Sequence, residues 1–184
     1  MTADYSKLSE EVIIKAVIAG NSQAYGELYK RYLDEVYRYV FFRVNSNHLE
    51  AEDLIQIVFI RAWEVILRDQ SKNYNFRALV YRIAHNLTVD RWRIQKQEYS
   101  LEDKRFETLQ SPTPVPEQLA KSNEEMDSIA LAIKELDPQL QQVFICRFIN
   151  GLSHSETAQA LGLTISHVRV LQYRALKKIR LGLI

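Results

Sequence analysis

His167, Arg169, Tyr173 and Arg174 fall within one short run, and that mixture of side chains suits reading a nucleic acid better than breaking a bond. A guanidinium bonds phosphate oxygens or the guanine edge, and aromatic rings offer stacking faces to bases. Lys177, Lys178 and Arg180 extend the positive charge, while no Asp or Glu occurs from Thr157 to Ile184. Charge so one-sided fits a polyanion partner. Catalysis has no comparable foothold. His48, His85, His154 and His167 are scattered without Cys or carboxylate at metal-ligand spacing, so neither a metal nor a cofactor is expected. Glu50, Glu52 and Asp53 resemble the start of a metal-dependent nuclease site, but adjacent positions diverge around a helix and no further carboxylates complete a site. The single cysteine, Cys146, lies in an apolar helical run and reads as a core thiol of a reducing compartment.

Two helix signatures placed back to back must hold the basic run. Ser153 caps the first, with Glu156 at the capping-box position, Ala158 and Leu161 as an apolar stripe and Gly162 as its left-handed end. Thr164 caps the second, in which Ile165, Val168, Leu171, Leu176 and Ile179 recur at helical spacing. His167, Arg169, Val170, Tyr173, Arg174 and Lys177 then face outward. The plainer reading is a helical hairpin with a solvated basic face; the charge asymmetry favours a helix-turn-helix aimed at a major groove.

Across 184 residues, 47% hydrophobic and 26% charged composition is ordinary for a globular protein. The net charge of +1 hides two basic patches, from Arg77 to Lys96 and at the C-terminus, separated by an acidic stretch from Glu98 to Asp137. No apolar run reaches the length of a membrane span or signal core, so a cytoplasmic protein is expected, without membrane insertion. Nearly every periodic segment has the helical period, which predicts an all-α fold. Helices are expected over Glu10–Ala19, from Ser22 to the Asn45-Ser46-Asn47 break, from Asn47 to about Leu67, and from about Phe76 to Gln97. Ser111-Pro-Thr-Pro-Val-Pro116 cannot be helical. The expected organisation is thus a domain at 1–98, a flexible linker at 99–118 and a second domain at 119–184. The second holds a helix of about Glu117–Lys134, one opened by Asp137-Pro138 and running to about Ile149, and the helix-turn-helix.

The third helix carries an anomaly. Ala51, Leu54, Ile55, Val58, Ala62, Val65 and Ile66 form its core stripe, yet Ile57 and Ile60 fall on the opposite face with Asp53, Gln56 and Glu64, and Trp63 lies at the flank. Apolar anchors inside a polar rim suit a protein interface; the alternative is that another part of the chain, such as the linker, covers them.

Ala51-Glu-Asp-Leu-Ile-Gln-Ile-Val-Phe-Ile-Arg-Ala-Trp63, then Phe76-Arg-Ala-Leu-Val-Tyr-Arg-Ile-Ala-His-Asn86 with Asp90-Arg91, then the helix-turn-helix after Gly151, together resemble a bacterial RNA polymerase sigma factor of the extracytoplasmic-function type. The resemblance spans almost the whole chain and implies three functional surfaces. Asp53, Gln56, Ile57, Phe59, Ile60 and Trp63 match positions that dock on a coiled coil of the polymerase clamp. The loop Arg68–Asn75 with Tyr81, Arg82 and Asn86 matches the reader of the minus-ten element as single-stranded DNA, with Arg77, Arg82, Arg91 and Arg93 on the backbone. Ser166, His167, Arg169, Val170, Tyr173 and Arg174 match the reader of the duplex minus-thirty-five element. Core RNA polymerase and promoter DNA, duplex and melted, are the implied partners, and an anti-sigma factor is a third that the resemblance admits. The chain departs from the family at Leu79, where a Trp is usual, and at Val170 and Leu171, which replace polar residues, so an altered minus-thirty-five preference is implied.

Two other functions compete. An autonomous helix-turn-helix regulator would bind a palindrome tightly as a dimer, and a nucleic-acid enzyme would need a nucleophile or metal cluster that the sequence does not offer.

Overall fold

Short turns between amphipathic helices organise the chain into two bundles. The computed structural model describes residues 4–69, 75–101, 129–131 and 133–182. A 3-10 turn at Tyr5–Lys7 leads into α1 (Glu10–Ile18), α2 (Ser22–Arg43), α3 (His48–Arg68) and α4 (Phe76–Leu101). Helical residues at 129–131 and 133–134 precede α5 (Pro138–Phe144), which runs into a π-helical turn at Ile145–Ile149 and is followed by α6 (His154–Leu161) and α7 (Ile165–Gly182). No strand occurs among the described residues, so the all-α expectation holds.

Asparagines start α2, α3 and α4 of the first bundle. Asn21 Oδ1 accepts from the N–H groups of Gln23 and Ala24 at 3.0 and 3.1 Å, Asn47 Oδ1 from Glu50 at 3.2 Å, and Asn75 Oδ1 from Ala78 at 2.9 Å. Between α2 and α3 the chain reverses through two left-handed residues, Asn45 (φ 54°) and Ser46 (φ 62°), at the predicted break. The core is formed by Ile13 and Val17 of α1, Leu28, Val36, Tyr39 and Val40 of α2, Val58 and Ile66 of α3, and Phe76 and Tyr81 of α4, all fully buried. The Glu10 carboxylate ties three helices together, accepting from the Tyr32 hydroxyl and, at 2.9 Å, from the Phe76 N–H at the start of α4.

In the second bundle Leu140 and Val143 of α5 pack with Val168, Leu171 and Ala175 of α7. The helix opened by Asp137-Pro138 does not continue as plain α-helix to Ile149. It widens at Ile145–Ile149, where the Asn150 N–H reaches the Ile145 carbonyl at 3.0 Å. That turn buries Ile145 and Cys146 fully, and burial pushes the Cys146 thiol up to about 12, as an inert core thiol requires. α4 is longer than predicted and includes 99–101, so the expected linker begins inside a helix. The rest of that linker and the helix expected from Glu117 lie outside the described residues up to residue 128.

Candidate nucleic-acid and polymerase interface

α3 presents two faces of different chemistry. Its inward stripe is the predicted one, with Phe59 added and Val65 only partly buried. On the outward face Asp53, Gln56, Ile57 and Ile60 are exposed; Ile57 is 38% and Ile60 59% accessible, and no described residue covers them. Trp63 is half-buried at the flank, its ring edge-on to Tyr25 with centroids 4.6 Å apart. Phe59, expected on this surface, is instead a core residue: it is 3% exposed and packs edge-on against Tyr29 at 4.7 Å. Its carbonyl accepts from the Tyr25 hydroxyl, so Phe59 braces the face from beneath.

The α4 set divides more sharply. Arg82 and Asn86 are exposed, as is Arg93, which lies 3.7 Å from Asp90. Arg91 is exposed too and donates from Nε to Glu50 Oε1 at 2.6 Å, tying α4 to α3. Tyr81 is no surface reader. It is fully buried, its ring meets Tyr39 edge-on at 5.5 Å, burial drives its phenol well above the usual range, and its hydroxyl has no partner. The sequence held the signal, because Tyr81 falls beside Phe76, Val80, Ala84 and Leu87 on the buried stripe of α4.

Arg77 has a different employment from the expected backbone contact. Its guanidinium lies 2.9 Å from Glu35 of α2, donates at 2.7 Å to the Asn150 carbonyl, and lies 3.5 Å from Glu156 of α6. It therefore joins the two bundles, along whose contact α4 packs against α6. Arg43 adds a second bridge, donating to Gln141 Oε1 at 3.1 Å. Glu156 also closes the predicted capping box with Ser153, at 3.1 and 2.8 Å. Although burial opposes ionisation, the Ser153 hydrogen bonds and Arg77 hold the Glu156 carboxyl below its ordinary value.

The helix-turn-helix forms as its residue types dictate. Gly162 ends α6 at φ +66°, and Thr164 Oγ1 accepts from the His167 N–H at 3.2 Å to start α7. Ser166, His167, Arg169, Val170, Tyr173 and Arg174 are all exposed, while Val168, Leu171 and Ala175 face the core. Leu176, predicted in the core stripe, is 42% exposed because Ala175 occupies the inward position. Arg147 Nε donates to Gln172 Oε1 at 2.9 Å, and Lys178 donates to Asp137 Oδ2 at 3.3 Å, so α7 is fixed to its bundle along its length. The loop residues 70–74 lie outside the described residues. Among the described residues there is no His, Cys, Asp and Glu cluster fit to hold a metal ion, and no helix long and apolar enough to cross a membrane.

Comparison with known proteins joins these surfaces into one class. Residues 28–98 match the family model of Sigma-70 region 2, and residues 132–181 match that of Sigma-70, region 4. The ECF RNA polymerase sigma factor BldN of Streptomyces coelicolor is 32% identical over 177 residues, covering 95% of this chain and 65% of that protein. The ECF RNA polymerase sigma factor SigW of Bacillus subtilis is 29% identical over 175 residues, covering 91% of this chain and 92% of that protein. The fold is similar to that of CnrH in its complex with the cytosolic domain of CnrY, with a TM-score of 0.73, 22% identity, and 98% and 97% of the two chains covered. It is also similar to the Bartonella quintana sigma factor RpoE bound to the anti-sigma factor NepR, at a TM-score of 0.61, 20% identity, and 84% and 94% covered. The two regions, in this order on two helical bundles, make the chain a member of the sigma-70 family, in its extracytoplasmic-function group. It is a sigma factor that directs transcription initiation by RNA polymerase.

Proposed function

We propose that this sigma factor docks on core RNA polymerase through the outward face of α3, with Ile57 and Ile60 as apolar anchors inside a rim of Asp53 and Gln56 and with Trp63 at the edge. The exposure of those two isoleucines carries the reading, since the packing of the bundle leaves them with no internal role. In the same scheme Arg82 and Asn86 of α4 meet the melted minus-ten strand, where an amide reads a Watson-Crick edge, and Arg91 and Arg93 lie along its backbone. Ser166, His167, Arg169, Val170, Tyr173 and Arg174 of α7 enter the major groove of the minus-thirty-five element. The role places the protein in the cytoplasm and asks for no bond-making residue of its own. An anti-sigma protein is a fitting further partner, as CnrH and RpoE were each solved with a protein bound.

Replacing Ile57 and Ile60 together by Asp tests the docking face. Association with core polymerase should be abolished while circular dichroism stays helical; loss of helicity instead would return the pair to the core. Gel shifts with the free chain test the reading as a whole. Duplex binding should be weak and steeply salt-dependent, with sequence-specific binding only in the holoenzyme. Tight, competitor-resistant binding to a palindrome by the chain alone would replace the sigma reading with a self-sufficient regulator.

A further inference from the structure

Among its polar reading residues the outward face of α7 carries an aliphatic side chain that neither the helix nor the fold requires. Val170 is 47% exposed and has no part in the stripe of Val168, Leu171 and Ala175 that holds α7 to its bundle. A β-branched residue is also a poorer helix former than the straight-chain polar residues that an outward position accepts. Its neighbours one turn away on either side are Ser166, His167, Tyr173 and Arg174, all exposed, so Val170 sits in the middle of the reading face rather than at its margin. Valine cannot bond a phosphate or the polar edge of a base. What it can contact in a major groove is the C5-methyl group, which among the four bases only thymine presents there.

Resting on the reading of α7 as the minus-thirty-five helix, we infer that Val170 selects a thymine by contact with its methyl group. The side chain suits that task, because branching at Cβ holds valine in essentially one helical rotamer, so its two methyls are set before DNA arrives. The mounting suits it as well. Arg147–Gln172 at 2.9 Å and Lys178–Asp137 at 3.3 Å fix α7 to its bundle. Arg169 and Arg174 flank Val170 and make no ion pair among the described residues, which leaves both guanidinium groups to set the depth of the helix on phosphates or guanines. Cytosine, which lacks the methyl, is thereby rejected at the position that Val170 faces.

Deoxyuridine isolates the methyl, since it differs from thymidine there by that group alone. A promoter is first recovered by transcription of genomic fragments with the holoenzyme, and each thymine of its minus-thirty-five element, on either strand, is then replaced singly by deoxyuridine. One position should lose about four-fold in holoenzyme binding, the size of one methyl removed from water. With Val170→Ala that same replacement should have no effect, and the variant should bind the unmodified promoter as weakly as the wild type binds the deoxyuridine one. Because Val170 is exposed, this variant keeps its fold, which its helicity and melting temperature verify. Indifference to every deoxyuridine overturns the inference, as does a recovered element with no thymine on either strand. Sensitivity that persists in Val170→Ala and disappears in Tyr173→Ala assigns the methyl to the phenol ring and overturns it too. Absence of specific transcription from any fragment would remove the sigma reading itself, an outcome distinct from specific transcription that ignores the methyl.

Discussion

Tyr81 shows how one side chain separates a reading residue from a supporting one. Its position in the family pattern suggests contact with an unstacked base, yet the ring is buried against Tyr39 and the hydroxyl lies in the core without a hydrogen-bond partner. A buried hydroxyl with no partner carries a desolvation cost of about 1–3 kcal/mol. Tyr81→Phe removes that cost and keeps the ring, so stability should rise by up to about 1 kcal/mol and promoter opening should be unchanged. Tyr81→Ala, by contrast, leaves a cavity and should lose roughly 3–5 kcal/mol. Chemical denaturation gives both numbers, and open-complex formation by the Phe variant tests the assignment: a substantial loss of opening at undiminished stability would make Tyr81 a reader after all. Exposed Asn86, one turn and a residue further along α4, should behave in the opposite way. Asn86→Ala should leave stability nearly untouched while weakening duplex opening, and a pre-melted template should restore only the transcription limited by strand separation.

Elements were legible where local chemistry alone decides them. The capping box at Ser153 and Glu156, the Thr164 cap and the left-handed Gly162 depend on residues within a few positions of one another, and each forms as its type requires. The turn makes a clean prediction, because a Cβ added at Gly162 meets no atom within 4 Å and only the backbone conformation at φ +66° opposes it. Gly162→Ala should therefore cost about 1–2 kcal/mol, read as a lowered melting temperature, with the helix-turn-helix still formed. A neutral change would mean that the α6–α7 turn adopts another geometry in solution. The outward face of α3 was legible for a related reason, since helical periodicity places Ile57 and Ile60 opposite Leu54, Val58 and Ala62 without reference to any other element. What escaped is what other elements decide. Phe59 lies between the two faces of α3, and the rings of Tyr29 in α2 and Phe76 in α4 make it inward. The widening at Ile145–Ile149 has no comparable local marker, because its apolar run fits an α-helix equally well.

On the scale of the whole molecule, Arg77 holds a partnership that promoter binding would undo in the proposed scheme. The minus-ten and minus-thirty-five elements lie about 25 base pairs apart, on the order of 85 Å along B-form DNA. Here α4 packs directly against α6, so the bundles that would read those elements are in contact. Residues 102–128, which join them, cover at most on the order of 90 Å when fully extended, enough for the bundles to part. The contact is built for reversal: across it Arg77, steadied by Glu35 of its own bundle, meets the Glu156 carboxylate and the Asn150 carbonyl, and it holds polar atoms that water would satisfy, since Arg43 Nε and both side-chain polar atoms of Asn150 have no partner. Arg77 is 22% exposed, so its ion pairs are partly screened by solvent. Arg77→Ala should shift the balance toward separated bundles by roughly tenfold, about 1–2 kcal/mol after that screening. Small-angle scattering of the free chain should then show a larger radius of gyration, and raising the salt concentration should move the wild type in the same direction. Scattering that responds neither to the substitution nor to salt would mean that apolar packing, and not the Arg77 cluster, holds the two bundles together.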